Sequence, residues 1–290
     1  MNPLLSILCV LAFCMLETQA QLKPTHRDIE FAKVGEHSLK LDLYFPDAAN
    51  PPLVVWVHGG AWRAGSKDKM LIPGLIDHGF AIASVSYRLS PVEKFPAQIH
   101  DIKAAIRFLR AHASDYGYDA SKVLIAGNSA GGHLAAHVGV TNGHPDFEGD
   151  VGEDSKQSSD VHAIADFYGP TNFLTILKQS TPHGLGVRIP ALQLLLRAQP
   201  ENVPDLAKLA SPVFHVDAKD PPLLMIHGDQ DPQVPINQSH ELEVAYKAAG
   251  IGDRARLEVI HGGQHGGEAF FDSERMKLLA EFFRAAIAER

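Results

Sequence analysis

The sequence has almost no cysteine, no apolar run long enough to cross a membrane and no excess of basic charge. Each lack closes a class of explanation. Its two cysteines are Cys9 and Cys14. Both lie within residues 1–20, so the rest of the chain holds no thiol for a disulfide, and the fold must stand on its apolar core. The apolar run 4–16 is shorter than the roughly eighteen residues of a spanning helix. Twenty-six Lys and Arg against thirty-four Asp and Glu leave a net charge of −8. That balance works against a phosphate-tracking surface, and nucleic acid is not an expected partner. No repeat period, low-complexity tract or block of like charge occurs, which excludes solenoids, collagen and disordered tails. What remains is 45% apolar and 21% charged over 290 residues, the balance of a globular chain with a large core.

The run 4–16 is followed by a polar stretch ending Thr18, Gln19, Ala20. An apolar segment of that length before small residues reads as a secretory signal, cleaved after Ala20. Export to the periplasm or medium is therefore expected, with an uncleaved anchor as the alternative and no membrane insertion after cleavage. Residues 21–290 then form one domain.

Within that domain, short β-rich runs alternate with stretches of helical period, the pattern of an α/β fold with a mostly parallel sheet covered on both faces. The runs 28–34 and 39–45 flank Gly35 and Glu36 and predict an antiparallel hairpin at one edge. Nearly continuous apolar runs at 53–57, 81–85, 123–126, 163–167, 223–226 and 257–260 predict buried strands. Helices are expected at 99–113, 130–139, 239–249 and 273–288, the first marked by Ile99, Ile102, Ile106 and Leu109. Segments 141–160 and 171–212 break the rhythm and read as short insertions over the carboxyl ends of the strands, where ligands of open parallel sheets bind.

Chemistry concentrates at the exits of these strands. Gly127, Asn128, Ser129, Ala130 and Gly131 spell G-x-S-x-G between a strand and a helix. A sharp turn there projects the hydroxyl of Ser129, and only small neighbours let the backbone pass so closely. A phosphate-cradling turn is the competing reading, disfavoured because no Lys follows and the G-x-G-x-x-G spacing is absent. Upstream, the strand 53–57 runs into His58, Gly59, Gly60, Ala61 and Trp62. A developing oxyanion needs two or three backbone N–H donors, and Gly60, Ala61 and Ala130 are the expected ones. His58 reads as a brace for this loop.

A nucleophilic serine of this kind needs an acid and then a histidine, each beyond a later strand. Strand 223–226 leads into Asp229 and Asp231, and strand 257–260 into His261 and His265. Asp231, stiffened by Pro232, is preferred over Asp229, which suits a turn bond at the strand exit. His265, deeper in a glycine-lined loop, is preferred over His261. The four-residue spacing of these histidines could bind a metal on a helix, but the surrounding glycines forbid a helix, so neither metal nor cofactor is expected.

Taken together, these residues resemble the α/β-hydrolase superfamily of serine esterases. The pattern His58–Gly59–Gly60–Ala61–Trp62, the run Ser86, Tyr87, Arg88, Leu89 with Phe95, Pro96, Ala97 and Asp101, and the Gly127 to Gly132 turn resemble the bacterial branch of feruloyl and acetyl xylan esterases (BD-FAE-like). The related hormone-sensitive-lipase-like carboxylesterases usually carry H-G-G-G, where this chain has Ala61. The resemblance implies a Ser129–His265–Asp231 triad, an acyl-enzyme and no cofactor. It also implies a small or carbohydrate-linked acetyl or feruloyl ester as substrate. Kynurenine formamidases share the H-G-G-aromatic pattern and keep an amidase reading open, and a non-catalytic binding protein on this fold is a third.

Overall fold

Strands that are apolar at every position can only be satisfied by cover on both faces. In the computed structural model, which describes residues 22–288, that is how they lie. The expected leader 1–20 falls outside the described residues. The strands are β1 (His26–Val34), β2 (His37–Tyr44), β3 (Pro52–Val57), β4 (Ala81–Val85), β5 (Asp119–Asn128), β6 (Ile164–Phe167), β7 (Leu223–Gly228) and β8 (Ala255–Ile260). They form one sheet in the order β1-β2-β4-β3-β5-β6-β7-β8. The ladders from β4 to β8 are parallel. The β1–β2 hairpin, turning at Gly35 and Glu36, closes one edge antiparallel.

Alternate residues of β3 serve two cores. Leu53, Val55 and Val57 belong to one, and Val54 and Trp56 to the other. The first is covered by α1 (Ala97–Ala111) and α2 (Ala130–Gly139), and by α3 (Pro182–Leu196) and α4 (Asn237–Ala248). The second is covered by α5 (Ser273–Ala288) through Met276, Leu279, Ala280 and Phe283. On α1 the expected stripe of Ile99, Ile102, Ile106 and Leu109 is fully buried, and each such side chain contributes about 1.5–3 kcal/mol by leaving water.

Two expectations need correction. The segment 171–212 holds a fifteen-residue helix, α3, where the sequence shows only a short apolar piece. Gly184, Gly186 and Pro190 depress its propensity, yet Thr181 caps it by accepting from the Gly184 N–H at 3.1 Å, and burial of its inner face overrides propensity. The segment 141–160 does not cover the carboxyl ends of the strands. It joins the end of α2 to the start of β6, hence lies at their amino ends, where its Glu148 pairs with Lys103 and Arg107 of α1. Only 171–212 leaves the carboxyl end of β6.

Candidate active site

Strand β5 ends in a turn that no ordinary side chain pattern would allow. Ser129 has φ 53° and ψ −119°, strained space for a residue with a Cβ. Its glycine neighbours are dictated by contact: a Cβ on Gly131 would stand 2.0 Å from the Val57 carbonyl oxygen, and one on Gly127 would stand 2.2 Å from that of Gly131. The Ser129 N–H is spent on the Phe167 carbonyl at 2.8 Å, pinning the turn to β6.

The Ser129 hydroxyl lies 2.9 Å from His265 Nε2, and His265 Nδ1 lies 2.6 Å from Asp231 Oδ2. A carboxylate only accepts, so Nδ1 carries the proton and the lone pair of Nε2 faces the hydroxyl. Asp231 Oδ1 accepts from the N–H groups of Gln233 and Val234 at 2.7 and 2.9 Å. Burial alone pushes the Asp231 carboxyl up, but hydrogen bonds from His227 and His265 outweigh it and hold it well below the usual range. The ring of Tyr168 packs edge-on against His265, centroids 4.8 Å apart. Of the competing pair, Asp229 and His261 bond to each other at 3.0 Å on the exposed rim, and Asp229 also accepts from Gly262 N–H at 2.8 Å. The structure thus brings Ser129, Asp231 and His265 together and leaves Asp229 and His261 apart from them.

The loop 58–62 starts against the serine turn, where a Cβ on Gly131 would also meet the His58 carbonyl oxygen at 2.6 Å. Gly60 has φ 116° and a Cβ there would meet the Ala64 carbonyl oxygen at 2.0 Å. The N–H groups of Gly60, Ala61 and Ala130 have no acceptor among the described residues. The loop is braced from behind. His58 lies 2.8 Å from the Gly59 carbonyl through Nδ1 and stacks on Tyr87 at 4.4 Å, whose hydroxyl donates to the His58 carbonyl at 3.0 Å. Ser90 N–H holds the Trp62 carbonyl at 2.8 Å, and Arg88 in the same run is clamped by Asp101, whose carboxylate is fully buried. The resemblance of 86–101 to a supporting segment is matched by these contacts.

Sequence reasoning missed three supporting residues. Asn128 accepts from Gly59 N–H at 3.0 Å, tying the serine turn to the glycine loop; an amide as the first x of G-x-S-x-G was the available signal. His227, fully buried, receives Ser239 Oγ at 2.7 Å and reaches the Val234 carbonyl at 2.9 Å and Asp231 Oδ2 at 3.5 Å. His133 accepts the Trp62 indole N–H at 3.0 Å. Histidines inside apolar runs, at the end of β7 and on α2, were the signal for the last two.

Asp166, on β6 beneath the turn, is a carboxylate that serves otherwise. Its Oδ1 accepts from Gly169 N–H at 2.8 Å while Oδ2 is buried without a partner. Burial pushes its pKa up to about 7, against the field of His227 and that hydrogen bond. A raised carboxyl supplies stability that is fully present below its unfolded pKa near 4 and is lost as pH rises through 7. Asp166→Asn, neutral throughout, escapes that loss. Its unfolding free energy relative to the parent is expected to grow by on the order of 4 kcal/mol between pH 4 and pH 8. Urea midpoints across that range measure it, and a difference independent of pH refutes an ionising Asp166.

The BD-FAE family model matches residues 41–246. Esterase LipQ of Mycobacterium tuberculosis is 32% identical, over 77% of this chain and 53% of its own. The chain spans about half the length of the curated relatives it matches. A truncated form of a carbohydrate esterase from gut microbiota has a similar structure, with TM-score 0.81 and 34% identity over 90% of this chain and 95% of that one. Esterase Est2 of Thermogutta terrifontis, solved with propionate bound, has TM-score 0.72 and 27% identity, covering 90% of this chain and 94% of its own. Among the described residues no helix is long and apolar enough to cross a membrane. With a mostly parallel eight-stranded sheet and these likenesses, the chain has the α/β-hydrolase fold and belongs to the BD-FAE family.

Proposed function

We propose that this chain is an exported serine esterase that acts on short-chain esters or on acetyl or feruloyl esters linked to carbohydrate. The observation that carries the reading is the hydrogen-bonded line from Ser129 through His265 to Asp231. Ser129 Oγ attacks the ester carbonyl carbon as its proton passes to His265 Nε2. The tetrahedral oxyanion is held by the N–H groups of Gly60, Ala61 and Ala130. Asp231 keeps the imidazole in the accepting tautomer and stabilises its cation. His265 returns the proton to the leaving alcohol, whose bond to carbon breaks, and an acyl-Ser129 ester remains. Water, deprotonated by His265, then releases the acid. A carbohydrate esterase and a propionate-bound esterase among the similar structures support the substrate class.

The test is a panel of acetylated xylan, methyl ferulate, p-nitrophenyl acetate and decanoate, and N-formylkynurenine, with mass spectrometry of the quenched acetyl reaction. Cleavage of acetyl or feruloyl esters with an acetyl adduct on the Ser129 peptide is expected. Turnover confined to the formamide, or an adduct elsewhere, overturns the reading.

A further inference from the structure

The buried stripe of α3 runs Gly184, Arg188, Ala191, Leu192, Leu195. One of these positions is an arginine, only 1% exposed. Buried guanidinium groups are normally neutralised by a carboxylate, because leaving an ion unpaired in a low-dielectric site is costly. Among the described residues Arg188 has no ion pair, and its Nε and Nη1 are buried without an acceptor. Its guanidinium lies over Trp62, whose ring centroid is 5.5 Å from the guanidinium carbon. Burial pulls its pKa down to about 10, offset in part by the charge of Asp231. It therefore remains a cation at neutral pH.

Its location ties this cation to the esterase site. At the start of α3, Thr181 Oγ1 donates to the Pro232 carbonyl at 2.6 Å, fixing the helix to the loop that carries Asp231. Toward its other end the Leu195 carbonyl accepts from Phe95 N–H at 3.0 Å, in the segment that braces loop 58–62. Arg188 stands between those anchors, against the residue that follows Gly60 and Ala61, and electrostatically coupled to Asp231 and Arg63. We propose that Arg188 anchors a carboxylate carried by the ester substrate, on either its acyl or its alcohol side. Charge-assisted donation to a carboxylate is the chemistry of a guanidinium, and with Nε and Nη1 enclosed it is Nη2 that is left to make it. On a chain of net charge −8, an anionic ester also needs a local cation to enter.

This inference rests on the esterase reading above, and the experiment separates the two. The ratio of kcat/KM for p-nitrophenyl hemisuccinate over p-nitrophenyl butyrate tests the acyl side. The ratio for an acetylated uronic acid over its methyl ester tests the alcohol side. At least one ratio is expected to fall 10- to 100-fold in Arg188→Met and to recover in part in Arg188→Lys. A calorimetric titration with succinate, which holds no ester and needs no turnover, is expected to show binding weakened about tenfold or more in Arg188→Met. Melting curves check folding, with Arg188→Gln as the second variant should Arg188→Met not fold. Ratios and succinate affinity that do not change in a folded variant overturn the carboxylate site. Absence of all hydrolysis with Arg188-dependent succinate binding overturns the esterase reading and keeps the site.

Discussion

Replacing Ser129 by alanine is expected to lower kcat for p-nitrophenyl acetate by about 10⁵- to 10⁶-fold while leaving the melting temperature within a few degrees of the parent. The size follows from what the hydroxyl does and what it does not do. In the proposed mechanism the loss of Oγ leaves His265 no nucleophile to activate, and only the proposed N–H donors of loop 58–62 and Ala130 still favour a tetrahedral carbon. The fold loses little. Ser129 is held by its backbone N–H to the Phe167 carbonyl at 2.8 Å, which alanine keeps, and alanine meets the same positive φ of 53°. The side chain's hydrogen bond to His265 is part-buried and of the kind worth about 1 kcal/mol. Residual activity above one part in a hundred, in protein free of parent enzyme, would mean that another group attacks the ester.

Much of this site was legible in the sequence because the α/β plan places function at strand exits, and strand exits are marked by where apolar runs meet glycine. Ser129, Gly60, Ala61, Ala130, Asp231 and His265 all follow from that rule, and they lie beyond the carboxyl ends of β3, β5, β7 and β8, with Ser129, His265 and Asp231 in one hydrogen-bonded line. What the sequence concealed has physical reasons. Helix α3 was hidden because Gly184, Gly186 and Pro190 lower local propensity, and the burial that overrides them is a tertiary effect. The segment 141–160 was misplaced because composition marks an irregular stretch without telling which end of the sheet it occupies; counting that a crossover helix returns the chain to the amino ends would have placed it. Histidines 133 and 227 were passed over because a histidine in an apolar run has no visible partner until Trp62 and Ser239 are folded against it. Arg188 was invisible for the same reason, since its position on the buried stripe exists only once α3 does.

The choice between the two aspartates gives the second large effect. Asp231→Asn is expected to lower kcat by about 10⁴-fold at neutral pH, and Asp229→Asn by no more than about threefold. Asparagine at 231 can still accept from Gln233 and Val234 through its oxygen. Its amide nitrogen would then face His265 Nδ1 as a donor, so the imidazole turns to the tautomer with Nε2 protonated, and the lone pair that must take the Ser129 proton is lost. That geometry survives while chemistry fails, so KM should move far less than kcat. Asp229 has no path to this outcome. It bonds His261 and Gly262 on the rim, and its loss frees a surface contact of little energetic weight. The two variants therefore separate the site's electrostatics from its loop packing: if Asp229→Asn proves the more damaging, the hydrogen bond at 2.6 Å between Asp231 and His265 is structural, and the rim pair carries the chemistry.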